Sequence, residues 1–282
     1  MEILDDTIWQ MSLGERVAFE GVLSQVAPEL AIEIGTAEGA SLRRIAAHAR
    51  EVHSFDLVAP SLDLPDHVTL HGGDSHVLLP EFLARLEKEN RNVDFVLVDG
   101  DHSAPGVQKD LEDLLDSDAV RRTIIVIHDI NNEEVRRGVD AVRYRAWRKV
   151  VHVELDCVPG YMFQEPALRY ELWGGLGLIV VDDRKPAMAS PEVLQQRYYP
   201  AAPMFAEMRD LAVGAEEDRI ARQSGEVAAL REQLADLEGR LAAAEQRAAD
   251  ERHGRNALEQ SVSWKLTRPL RAAKARARRA LA

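Results

Sequence analysis

The chain is nearly devoid of cysteine, with only Cys157 in 282 residues. That excludes an internal disulfide framework and a cysteine-built zinc centre. No apolar run approaches the roughly 20 residues a spanning helix needs. The opening residues, Met1 to Asp6, are acidic and lack the basic-then-apolar order of a secretory signal. The expected compartment is therefore the reducing cytoplasm. Basic charge is also in short supply: the net charge is −13, which argues against general nucleic-acid binding by the body of the chain. Acidic residues vanish only at the end. Val262 to Ala282 hold seven basic residues and no acidic one, so the preceding 261 residues carry −20. With 46% hydrophobic residues and a length above one average domain but short of two, the chain reads as one domain with an appendage.

Residues 1–185 alternate between strand and helix patterns. Runs rich in Val and Ile fall at 30–34, 52–56, 67–71, 93–98 and 123–127, and the segments between them show helical spacing, as in Leu78, Phe82, Leu83 and Leu86. Buried strands separated by helices imply an α/β, doubly wound, mostly parallel sheet. Val150–Leu155 and Leu176–Val181 add two β-type runs with no clean helix between them, which predicts a terminal antiparallel hairpin.

The densest signal is Glu33-Ile34-Gly35-Thr36-Ala37-Glu38-Gly39, leading into Ser41-Leu42-Arg43. Glycines four apart after a buried strand allow backbone to lie against a flat ligand. G-x-G-x-x-G is missing, and a carboxylate stands where a phosphate would be repelled, which disfavours a nicotinamide-dependent reductase. A carboxylate beside a glycine turn suits an ammonium group or a ribose. Asp56 ends the second strand 17 residues after Gly39, where its two oxygens can accept from both ribose hydroxyls; the bland alternative is a loop or N-cap aspartate.

This pattern resembles the E/D-x-G-x-x-x-G signature of class I S-adenosylmethionine-dependent methyltransferases. The resemblance implies a seven-stranded Rossmann-like sheet. It also implies a cofactor held by Glu33, Gly35, Thr36, Gly39, Ser41, Asp56, Leu57, Asp74, Ser75 and Asp99, with Asp74 accepting from the adenine amino group. Asp74 or Ser75 could equally cap the helix that follows.

Val93 to Ser103 places Asp99 and His102 at the carboxyl end of a central strand, and Thr123 to Asp129 ends the next one with His128-Asp129. Neighbouring parallel strands bring their tips about 5 Å apart, so Asp99 and Asp129 could share a hard divalent cation. His102, with an ordinary pKa near neutrality, is the natural base for a substrate hydroxyl. The D-G-D-H-S run followed by I-H-D resembles the O-methyltransferases grouped with macrolide-sugar methyltransferases and cephalosporin-hydroxylase-like proteins. That resemblance implies magnesium on Asp99, His128 and Asp129, with His102 and Asp99 catalytic. His128 departs from the group's acidic pair and offers a nitrogen that magnesium does not favour, which leaves weak magnesium, manganese or no metal as alternatives. Asp101, His48, His53, His67, His76 and His152 read as structural, and Trp173 as a core, lid or acceptor-pocket aromatic.

The implied reaction is methyl transfer to a hydroxyl of a sugar, glycan or related small molecule. The competing reading is a non-catalytic scaffold of the same fold that organises a membrane-associated polysaccharide-synthesis assembly. Asp99 and His102 together disfavour the scaffold, which has no use for a base beside the methyl site.

Beyond a proline-bearing linker at 186–207, residues 208–260 read as a short coiled coil. Val227, Leu230, Leu234, Leu237, Leu241 and Ala244 follow a 3-4 alternation. A homo-oligomer is expected; the alternative is a helix folded back on the domain. Residues 261–282 contain Ser261-Val262-Ser263-Trp264-Lys265-Leu266-Thr267-Arg268-Pro269-Leu270-Arg271. This resembles the S-W-x-x-T-x-P-L-R tail of bacterial glycosyltransferases and methyltransferases of surface-polysaccharide pathways. Thr267 is expected to cap a helix with Pro269 in its first turn, and Leu266, Leu270, Ala273, Ala277 and Leu281 to form its apolar stripe. Such a helix suits an anionic membrane surface at the inner face or an acidic protein partner; the alternative is a disordered basic tail.

Overall fold

The computed structural model describes residues 9–163, 168, 170–185 and 201–280, with backbone alone at 201–205 and 277–280. They form two units, 1–213 and 214–282. In the first unit the order is α1 (Leu13–Val26), β1 (Leu30–Ile34), α2 (Ala40–His48), β2 (Glu51–Asp56), β3 (Val68–Gly72), α3 (Ser75–Lys88), β4 (Phe95–Val98), α4 (Ala104–Asp116), β5 (Arg122–His128), α5 (Glu133–Ala141), β6 (Val150–Met162) and β7 (Leu172–Asp182).

The strands make one sheet in the order β3-β2-β1-β4-β5-β7-β6. The first five are mutually parallel, and β7 runs antiparallel to both β5 and β6. The chain leaves β1 toward β2 on one side and returns to β4 on the other, which opens a crevice at their carboxyl ends. Strand periodicity divides the core in two. Leu30, Ile32 and Ile34 of β1 with Val96 and Val98 of β4 pack against α3, α4 and α5, while Ala31, Phe95 and Leu97 face Phe19 and Leu23 of α1 and Leu42 and Ile45 of α2. Helices α1, α3, α4 and α5 start on side-chain caps, whereas α2 starts at Gly39 without one. Ser12 and Glu15 close a capping box on α1, and Asp74, Ser103 and Asn132 accept backbone N–H groups at α3, α4 and α5.

The hairpin is longer than the sequence pattern predicts. Its strands extend to Met162 and back from Leu172, through Pro159 and Gly160, with irregular register at Val150/His152 and Glu154/Val158. Pro159 is accommodated because β6 is the edge of the sheet, where a missing backbone donor is tolerated.

A single helix, α6, runs from Ala201 to Gln260. It therefore begins inside the segment expected to be linker; Pro186, Pro191 and Pro200 lie outside the described residues. Two more helices follow, α7 (Val262–Leu266) and α8 (Arg268–Ala280). Thr267 does not cap α8 as expected. Its hydroxyl donates back to the Ser263 carbonyl, and Ser261 caps α7 by accepting from Trp264 N.

Candidate active site

The glycine turn is fixed by three left-handed residues, Gly35 (φ 91°), Ala37 (φ 44°) and Gly39 (φ 75°). Gly35 is required sterically as well: a Cβ there would lie 2.0 Å from the Asp99 carbonyl oxygen. This close approach joins the tip of β1 to the tip of β4. Beneath the turn, Glu33 is fully buried, and its two oxygens accept from Ser41 Oγ and Ser54 Oγ, each at 2.6 Å. Burial pushes its carboxyl up to about 8 against those hydroxyl bonds. Glu33 and Ser41 thus brace the turn from below and do not face the crevice. Thr36 is spent in the same way, its hydroxyl sharing a 2.7 Å bond with Ser54.

Asp56 sits at the tip of β2, as its spacing implied, and there it organises the turn. Its Oδ2 accepts from Thr36 N at 2.8 Å and Ala37 N at 3.1 Å, and its Oδ1 accepts from Val58 N at 3.1 Å. A carboxylate has about four acceptor positions, so these bonds leave room for a ligand hydroxyl. Leu57 is exposed beside it. Asp74 caps α3 through His76 N while its side chain stays more than half exposed at the neighbouring strand tip. Ser75 turns inward, its hydroxyl donating to buried Asp110 at 3.3 Å. Asp56 and Asp74 therefore line one edge of the crevice, and Ser75 supports it from behind.

At the next strand tips stands a compact ionic cluster. His102 Nε2 lies 3.2 Å from Asp129 Oδ2 and 3.5 Å from Asp99 Oδ1, close enough for charge attraction although not aligned for a hydrogen bond. Asp129 and Asp99 together push the imidazole up to about 9, against the effect of burial. Asp129 holds a left-handed backbone (φ 54°), and its Oδ1 accepts from Gly174 N at 2.6 Å. Asn131 Oδ1 accepts from Gly160 N at 2.6 Å, so the β6–β7 hairpin is tied to the tip of β5. The hairpin delivers Trp173, whose ring meets His102 edge-on at 5.4 Å.

His128 departs from its expected role as a metal ligand. It is buried, its Nδ1 bonds Asp99 Oδ1 at 3.0 Å, and its Nε2 faces Glu15 Oε1 at 3.3 Å. Burial favours the neutral ring, but Asp99, Asp129 and Glu15 outweigh it and raise the pKa well above the ordinary value. An imidazolium in that position supports Asp99 from behind and cannot donate a lone pair to a cation. The donor atoms that do converge, within 4.8 Å of one another, belong to Asp99, His102 and Asp129. Two carboxylate oxygens and, once His102 has given up its proton, an imidazole nitrogen are a donor set that fits a divalent ion, and such an ion would compete with the His102 charge for the same oxygens.

Glu15 is the site residue that the sequence pattern does not single out. It is fully buried on α1, accepts from Ser12 N at 2.5 Å and Gly175 N at 2.6 Å, and faces His128. Its carboxyl would rise on burial, but His128 and the Ser12 contacts hold it below the usual range. The available signal was Ser12-x-x-Glu15, a capping-box spacing that announces a helix start and says nothing of a partner 113 positions away.

Residues 32–130 match the model of a family described as a methyltransferase domain. No curated protein matches the chain in sequence. Among solved structures, an O-methyltransferase from Bacillus cereus in complex with SAH shares 16% identity over 58% of this chain and 79% of its own, with a TM-score of 0.42. MycE, from the mycinamycin biosynthetic pathway, in complex with Mg, SAH and mycinamycin VI, shares 14% over 64% of this chain, with a TM-score of 0.45; this chain spans about half of it, 52%. TomG of Streptomyces achromogenes, an O-methyltransferase of tomaymycin synthesis, shares 15% over 61% of this chain and 81% of its own, with a TM-score of 0.43. The match to a methyltransferase domain thus spans β1 to the end of β5 within a seven-stranded, Rossmann-like sheet.

Proposed function

We propose that this domain transfers the methyl group of S-adenosylmethionine to a hydroxyl oxygen of a sugar, glycan or related small molecule. The observation that carries the reading is the convergence of the five parallel strand tips. The braced glycine turn of β1 and the half-open carboxylates Asp56 and Asp74 lie on one side, and His102, set between Asp99 and Asp129, lies on the other. Asp56 retains acceptor capacity for a ribose hydroxyl, and Asp74 presents an exposed carboxylate for an adenine amino group. When bound, the cofactor supplies an electrophilic methyl on a sulfonium. In its neutral form, which a pKa of about 9 makes the majority only at alkaline pH, His102 takes the proton of the acceptor hydroxyl, and Asp129 and Asp99 stabilise the imidazolium that results. Trp173 gives the acceptor side an apolar wall that a sugar ring can stack on. A magnesium or manganese ion would be held by Asp99 and Asp129, where it would lower the pKa of the hydroxyl.

Outside the domain, the stripe Val227, Leu230, Leu234, Leu237 and Leu241 is exposed along α6. Its 3-4 spacing supports pairing with a second copy as a coiled coil. An assembly serving polysaccharide synthesis at the inner face of a membrane fits that appendage. The test is transfer of labelled methyl from S-adenosylmethionine to a panel of nucleotide sugars and glycans, with His102→Gln as the control. Transfer reduced about 100-fold in the variant is expected; equal transfer by both proteins removes His102 from the chemistry.

A further inference from the structure

The C-terminal motif builds a local lock. The Arg271 guanidinium lies over the Trp264 ring at 3.5 Å, Nη2 donates to the Trp264 carbonyl at 2.6 Å, and Nη1 donates to Thr267 Oγ1 at 2.6 Å. Thr267 in turn donates to Ser263 O, and Ser261 caps the short helix before it. Ser261, Trp264, Thr267 and Arg271 therefore bond to one another or to the intervening backbone, and together they fix α7 against α8 at the junction. Val262, Leu266 and Leu270 take no part in the lock and are each more than 70% exposed.

We infer that this locked bend is a docking foot for an anionic lipid surface. Three exposed aliphatic side chains among seven basic residues, with no acidic residue from 262 to 282, make a surface that is apolar and cationic at once. Self-association would bring seven positive charges against seven and is opposed by Coulomb repulsion. The interface of an anionic bilayer satisfies both properties, taking the aliphatic groups into its acyl boundary and the guanidinium and ammonium groups among its headgroups. None of the described helices is long and apolar enough to cross the membrane, so the foot rests on the surface. This inference is independent of the methyl-transfer reading.

The test is co-sedimentation of the full-length protein with phosphatidylcholine vesicles containing about a third phosphatidylglycerol, and with phosphatidylcholine alone, at low and high salt. Binding to the anionic vesicles that weakens with salt is expected. The double variant Leu266→Ser, Leu270→Ser keeps every charge and every bond of the lock, and should lose at least about tenfold in vesicle affinity. Absence of binding at low salt overturns the inference. Binding that the serine pair leaves unchanged also overturns it, because attraction by charge alone would assign the tail to an acidic protein or another polyanion.

Discussion

Replacing Glu15 by alanine removes a carboxylate that serves three groups at once. His128 loses the counter-charge 3.3 Å from its Nε2, and the N–H groups of Gly175 and Ser12 lose acceptors at 2.6 and 2.5 Å. Losing one member of a buried ion pair costs about 3–5 kcal/mol, because the remaining charge stays out of water without compensation. A single orphaned buried N–H costs about 1–3 kcal/mol on its own, and since the same carboxylate serves all three groups, these terms overlap and do not add. Glu15→Ala should therefore destabilise the domain by about 3–5 kcal/mol. Glu15→Gln keeps an acceptor oxygen and should cost about half as much. The assay is urea unfolding followed by tryptophan fluorescence, in which Trp9, Trp147 and Trp173 report on the first unit. An alanine variant within about 1 kcal/mol of the parent would refute the assignment of Glu15 as the anchor of His128.

Further outcomes follow from the same geometry. Gly35→Ala forces a Cβ to within 2.0 Å of the Asp99 carbonyl at φ 91° and should abolish cofactor binding and lower the thermal midpoint by at least about 10 °C; Gly39→Ala should be milder, because it meets only the flexible tip of Leu62. Glu33, raised to about 8 by burial, favours the folded state in its protonated form. Its stabilising contribution is complete below the ordinary carboxyl pKa and is lost as pH rises toward 8, and Glu33→Gln should flatten that decline in melts taken from pH 5 to 8. Leu230→Lys with Leu237→Lys should convert an oligomer to a monomer in light scattering, whereas an unchanged mass would remove the α6 stripe from assembly.

The strands were legible because each is a short apolar run ending at a polar tip. The turn at 33–39 and the acids at 56, 74, 99 and 129 could be placed on those tips by spacing alone. What eluded the sequence was direction. Glu33 and Ser41 belong to the turn, yet strand and helix geometry point both side chains inward, toward each other. His128 was equally hidden. It is the last residue of β5, buried and 3.4 Å from the Asp129 carboxylate, and its ring reaches from Asp99 to Glu15, which comes from a helix more than 100 residues earlier. The length of the β6–β7 hairpin was hidden because Pro159 and Gly160 read as breaks unless the strand is known to be an edge. Thr267 looked like a cap because threonine before Arg-Pro has that pattern; the competing bond to Ser263 O is visible only once both helices are placed.

The central claim is that the crevice between β1 and β4 holds S-adenosylmethionine. Isothermal titration of the full-length protein with S-adenosylhomocysteine tests it most directly, with Asp56→Ala as the companion. Saturable binding at one site per chain is predicted, weakened by about 2 kcal/mol in the variant, the loss expected when a charged acceptor is withdrawn from ribose hydroxyls. No heat of binding from the parent protein would contradict the account at its root.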